Sequence, residues 1–132
     1  KNIFLIYSAS WCAWCKKMDE NMMSEKCKVL FESNYVISHL DVLETDRKKH
    51  LENPGAYELL CTHKGEEAGL PFWVILNREG ILIEDSFDPE GENMGCPVTD
   101  EEVENFISIL RNTSKLSEDE LRTIAVTFYS GG

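Results

Sequence analysis

The chain has 132 residues, 42% hydrophobic and 28% charged, the size and balance of one globular domain, which excludes intrinsic disorder and a disulfide-stapled miniprotein. Its 13 Lys and Arg stand against 24 Asp and Glu, and a net charge of −11 suits neither a nucleic-acid binder nor a protein of anionic membrane surfaces. No apolar run approaches the roughly 18 residues of a membrane-spanning helix.

The sequence opens on Lys1 rather than Met with an apolar run already under way, so any targeting signal is expected upstream. Asn2 to Tyr7 is β-rich without a turn residue and predicts a strand buried on both faces of a parallel or mixed sheet. From Trp11 the composition turns to helix formers. Met18 and Met22, four apart with charges between them, predict an amphipathic helix to about Met23 with Ser10 as its N-cap. A short helix over Ser24 to Glu32, with Cys27, Leu30 and Phe31 inward, and a strand over Tyr35 to Val42 follow.

Leu43 to Gly69 carries weaker signals: a charged stretch from Asp46 to His50, a turn at Pro54-Gly55 and one or two helical turns over Ala56 to Cys61. Leu70 to Leu76 is the most apolar segment. Asn77 to Gly80 closes a hairpin onto Ile81 to Phe87, which places Ile81, Ile83 and Asp85 on one face of an antiparallel pair. After a loop over Asp88 to Pro97, Thr99-Asp-Glu-Glu102 reads as a capping box opening a helix with Val103, Phe106, Ile107 and Leu110 inward. Ser117-Glu-Asp-Glu120 repeats the box before Leu121, Ile124, Ala125 and Phe128, and Gly131-Gly132 reads as a frayed end. The order of elements predicts an α/β domain with a mixed central sheet flanked by helices.

The sharpest chemical feature is Trp11-Cys12-Ala13-Trp14-Cys15-Lys16, two thiols three residues apart where a buried strand hands over to a helix. That spacing puts both side chains on one face of the first turn, within reach of a reversible disulfide. Unpaired N–H groups and the positive dipole end favour a thiolate at the helix start, with Lys16 and Lys17 adding positive charge. Cys12 is therefore the candidate nucleophile, expected to be accessible to solvent, and Cys15 the resolving thiol.

On these residues the sequence resembles the thioredoxin superfamily over roughly residues 1 to 112. The resemblance rests on the first strand, Ser-Ala-Ser-Trp-Cys-x-x-Cys-Lys, the helix, a strand ending near Leu40-Asp41-Val42, Gly69-Leu70-Pro71 before a strand, the turn at Glu79-Gly80 and a closing helix. It implies a thioredoxin-like fold with an added C-terminal helix, in one domain over residues 1–132. It also implies that Pro71, as the family's cis-proline, faces the cysteine pair, and that Leu70 offers backbone groups to an extended substrate peptide. Trp11 is implied to cover the disulfide, and Trp14 is a candidate apolar docking surface for substrate.

Two departures stand out. Ala13-Trp14 replaces the Gly-Pro of thioredoxin proper, leaving reductant, isomerase and oxidant open, across superfamily potentials that span about 150 mV. Ile6 falls where thioredoxin has a buried acid, and His39, near the position of that acid's lysine partner, is a candidate base. The local pattern looks more like thioredoxin domains of bacterial envelope thiol:disulfide interchange proteins than like cytosolic thioredoxin. That likeness implies a periplasmic or otherwise exported protein, with the cytoplasm as the alternative.

Five cysteines leave at least one thiol without an intramolecular partner. Cys27 is expected to be a buried apolar residue, and Cys61 and Cys96 to be inert thiols, with a structural disulfide between them as the alternative. Cys27, Cys61, His63 and Cys96 are scattered singly, so no metal site is expected, and nothing in the sequence asks for a cofactor. Trp73 and the methionines at 18, 22 and 23 read as core, and the acids at 44–46 and 85–92 as solvated faces. The resulting expectation is a monomeric thiol-disulfide oxidoreductase acting on protein or peptide thiols and disulfides, recharged by a redox partner of unknown identity. The alternative is a thioredoxin-fold binding or assembly module with little redox turnover.

Overall fold

Alternation along the first strand sorts the hydrophobic residues into two cores. In the computed structural model, which describes residues 1–129, β1 (Asn2–Ser8) sends Phe4 and Ile6 to one face of the sheet and Leu5 and Tyr7 to the other, all four buried. It pairs in parallel with β2 (Tyr35–Asp41) and antiparallel with β3 (Phe72–Leu76), which pairs antiparallel with β4 (Leu82–Asp85). The sheet order is β2-β1-β3-β4. Every residue of β3 is buried, as its uninterrupted apolar run requires.

The larger core lies under α1 (Ala13–Met22), α2 (Lys28–Asn34), α4 (Asp100–Thr113) and α5 (Glu118–Tyr129). Phe106 is its hub, with its ring centroid 5.0 Å from that of Phe128, 5.4 Å from Trp73 and 6.4 Å from Phe4 and Phe31. Burying each such ring contributes about 1.5–3 kcal/mol. Leu121, Ile124 and Phe128 of α5 are fully part of this core, so the added helix is structural. The smaller core joins Leu5, Tyr7, Phe72 and Val74 to Val42 and to Ala56 and Leu60, the last two from α3 (Ala56–Thr62).

The Thr99 and Glu102 box is formed as the sequence predicts, and Ser117 and Glu120 exchange the same pair of bonds before α5. Several expectations shift. Ser10 does not cap α1: Cys12 does, because its Sγ accepts the Cys15 N–H while the Ser10 hydroxyl is held elsewhere. Ser24 to Cys27 forms turns closed by Cys27 N–H and Lys28 N–H bonds to the Ser24 carbonyl, so α2 starts at Lys28 and includes Asn34. Asp46–Leu51 is a 3-10 helix. Strand β4 is shorter than the apolar pattern, with Ile81, Leu82 and Ile83 exposed along the sheet edge. Met23, one residue past α1, is exposed rather than core. Gly131 and Gly132 lie outside the described residues.

Candidate active site

The end of β1 and the start of α1 present the two cysteines. Cys12 N–H donates to the Ala9 carbonyl (3.1 Å) and Lys16 N–H to the Cys12 carbonyl (3.3 Å), which fixes the strand-to-helix turn. Cys12 and Cys15 are joined by a disulfide with their Cα atoms 5.3 Å apart. The Cys15 N–H points at Cys12 Sγ from 3.1 Å. No acidic residue sits in the first turn of α1, so nothing there neutralises the dipole end that faces Cys12.

Exposure does not separate the two thiols, contrary to the sequence expectation that Cys12 is accessible. Cys12 is 3% and Cys15 4% exposed. They differ in position: Cys12 caps the helix and its Sγ takes an N–H, whereas Cys15 lies within the helix. Around them, Trp11 and Trp14 are 55% and 52% exposed, an unusual amount of aromatic surface beside a covered disulfide.

Trp11 is not loose. Its Nε1 donates to the Leu43 carbonyl at 2.9 Å, and the next residue, Glu44, takes both donors of Ser10. Those bonds hold the Glu44 carboxyl below the usual carboxylate range, the Ser10 hydroxyl contributing most. Glu44 is therefore buried structure rather than a solvated face, and sequence reasoning missed it because an acid in an acidic run carries no sign of the partner it will meet.

A groove of about 210 Å³ lies against Trp14, the residue before Cys15, and its other walls include Leu70, Pro71, Met94, Cys96 and Val98. The Leu70–Pro71 peptide is cis. Behind it, the buried Trp73 donates its indole N–H to the Gly95 carbonyl at 2.9 Å, which ties the loop over residues 93–96 to the sheet. Trp14 and the Leu70-Pro71 segment thus line one groove, while Trp11 is anchored to the loop after β2.

Of the remaining sequence candidates, His39 lies opposite Ile6 across β1 and β2 and gives its Nε2 to Asp19 at 2.8 Å. That bond raises the imidazole's affinity for a proton. Cys27 and Cys96 are buried free thiols and Cys61 a half-buried one, so Cys61 and Cys96 are not bonded to each other. Burial pushes the Cys96 thiol up to about 11. His63 accepts or donates at Nδ1 with the buried Tyr7 hydroxyl, 3.0 Å away. Among the described residues no three His, Cys, Asp or Glu side chains converge to hold a metal ion, and no helix is long and apolar enough to cross a membrane.

No family model matches the chain, and no curated protein sequence is significantly similar to it. Solved structures are similar in fold. A disulphide isomerase from Xylella fastidiosa Temecula1 superposes with a TM-score of 0.55 at 19% identity, over 98% of this chain and 77% of that one. A structure described as DsbH oxidoreductase gives 0.54 at 22% identity, over 89% and 74%. The chain has a thioredoxin-like fold. With the fold fixed, the two cysteines of this thioredoxin-like chain stand at the junction of β1 and α1, and the Leu70-Pro71 segment stands at the entrance to β3.

Proposed function

We propose that this chain is a thiol-disulfide oxidoreductase acting on protein or peptide disulfides through Cys12 and Cys15. The observation that carries the reading is the disulfide at the un-neutralised start of α1, with the Cys15 N–H directed at Cys12 Sγ. In the reduced protein the same N–H and dipole stabilise a Cys12 thiolate. That thiolate attacks a substrate disulfide, forming a mixed disulfide and releasing one substrate sulfur as thiolate. Cys15 then attacks Cys12 Sγ, the second substrate thiol leaves, and two electrons have passed from the protein dithiol to the substrate. A dithiol donor resets the pair, and the same steps in reverse oxidise a substrate dithiol.

In this reading Leu70 and Pro71 hold an extended substrate chain beside the sulfurs and Trp14 forms one wall of its groove, with Trp11 as further apolar surface. An exported compartment, where protein disulfides form and are exchanged, is the proposed location, in keeping with the sequence's likeness to envelope proteins. A second reading, a binding module with a slow dithiol, is favoured by one observation: both sulfur-bearing residues are almost fully covered while Trp11 and Trp14 are open.

Catalysis separates the two. Under the first reading, the protein accelerates reduction of a simple protein disulfide by a dithiol donor well above the donor alone, and Cys12→Ser abolishes the acceleration. Turnover no faster than the donor alone would leave the binding module as the better account.

A further inference from the structure

Asn93 makes contacts that nothing in its sequence surroundings announces. Its Nδ2 lies 3.0 Å from the Gly69 carbonyl, 3.0 Å from the Pro71 carbonyl and 3.3 Å from the Ala68 carbonyl. Its Oδ1 accepts the Ser86 hydroxyl at 2.7 Å and the Gly95 N–H at 3.1 Å. The carboxamide has one orientation that satisfies these partners, since three of them only accept and Gly95 N–H only donates.

Each partner on the Oδ1 side is itself fixed. Ser86 is fully buried, exchanges backbone bonds with Trp73 and Met94, and takes the Trp73 N–H on its hydroxyl. Gly95, at φ +56°, brings its loop so near the cis-proline that an added Cβ would lie 3.4 Å from the Pro71 carbonyl oxygen. One side chain therefore clamps the Leu70-Pro71 segment to the sheet through the loop over residues 93–96.

The choice of carbonyls matters. Asn93 occupies those on both sides of Leu70, and among the described residues neither backbone group of Leu70 has an internal hydrogen-bond partner. Leu70 is left as the one position of this segment with both an N–H and a C=O free, the pair that a single residue of an adjoining extended chain uses in an antiparallel ladder.

We propose that Asn93 is a positioning residue that holds the Leu70-Pro71 edge ready for a substrate backbone, so that the site favours extended peptide disulfides over small disulfides lacking a backbone. The inference rests on the oxidoreductase reading and adds to it the residue that holds the substrate edge in place. Asn93 hydrogen-bonds to neither Cys12 nor Cys15, and its carboxamide is taken up by residues 68, 69, 71, 86 and 95. It acts by removing the cost of ordering the edge when the chain binds.

Asn93→Asp tests this, because the carboxylate keeps the acceptor for Ser86 and Gly95 but turns an oxygen toward three carbonyls. With a disulfide-bonded protein substrate, KM is expected to rise by roughly tenfold or more, the scale of lost and reversed hydrogen bonds, with kcat little changed. With bis(2-hydroxyethyl) disulfide, which has no backbone to pair, the rate is expected to match that of the unsubstituted protein. If N93D does not fold, Ser86→Ala, which frees the carboxamide on its oxygen side, is expected to give a smaller KM change with the same substrate split. Unchanged KM for the protein substrate, or equal losses on both substrates, would overturn the proposal while leaving the oxidoreductase reading in place. If the unsubstituted protein turns over neither substrate, the oxidoreductase reading fails and the role of Asn93 fails with it.

Discussion

Glu44 receives the backbone N–H of Ser10 on one carboxylate oxygen and the Ser10 hydroxyl on the other, each at 2.7 Å, and so pins the turn that leads into Trp11 and Cys12. Because the carboxylate is the form that accepts both bonds, its proton affinity in the folded chain lies below the ordinary value of 4.5. A carboxyl with a depressed folded value adds stability above its unfolded value, and that stability is lost as pH falls through the folded one.

Glu44→Gln is therefore expected to lower the thermal midpoint at pH 7, since one of the two acceptors becomes a donor facing a donor. The gap from the unsubstituted protein should close as pH falls below the carboxylate range. Thermal unfolding followed across pH checks this, and a gap independent of pH would show that the bonds are not charge-assisted.

The two histidines with shifted proton affinity move in opposite directions. His39 is raised, first by its hydrogen bond to Asp19, and His63 is lowered by burial against Tyr7. An imidazole NMR titration should find His39 above and His63 below the ordinary 6.5. Asp19→Asn should bring His39 back down. The raised His39 adds stability below 6.5 that is lost as pH rises through its folded value, but both partners are more than one-third exposed, so solvent screening keeps the amount small. The lowered His63 does the reverse: the unfolded chain takes up that proton first, so acidification through this window costs stability.

Phe128 packs its ring 5.0 Å from that of Phe106 and 6.4 Å from that of Phe31, at the heart of the larger core. Phe128→Ala is expected to destabilise the protein by about 3–5 kcal/mol, the range for truncating a buried aromatic ring. Urea unfolding monitored by tryptophan fluorescence measures it. A loss below about 1 kcal/mol, the size of a surface substitution, would show that α5 is an appendage to a core complete without it.

The sequence made the sheet legible because β1 and β3 are short, uninterrupted apolar runs, and it made the dithiol legible because two cysteines at helical spacing follow a strand. The capping boxes were legible for the same reason: their signal is local. What escaped was set by partners far along the chain. Ser10 looked like a cap until Glu44, 34 residues away, took its hydroxyl, leaving Cys12 Sγ as the cap. Asn93 sat in an acidic loop with no periodicity, and its five contacts reach back to residues 68, 69, 71 and 86 and forward to 95. The burial of Cys12 escaped too, because a helix start promises exposed donors but says nothing of what packs over them.

The most direct test of the central claim is to trap the intermediate that the two-step exchange requires. Cys61 and Cys96 are first replaced so that neither can resolve an adduct, while Cys27 remains, fully buried, in the core. In that background Cys15→Ser is incubated with a disulfide-bonded protein and the mixture is resolved on a non-reducing gel. The account predicts a covalent adduct that reductant releases and that the further change Cys12→Ser abolishes. Absence of any adduct, with Cys12 shown by alkylation to be free and reactive, would contradict it.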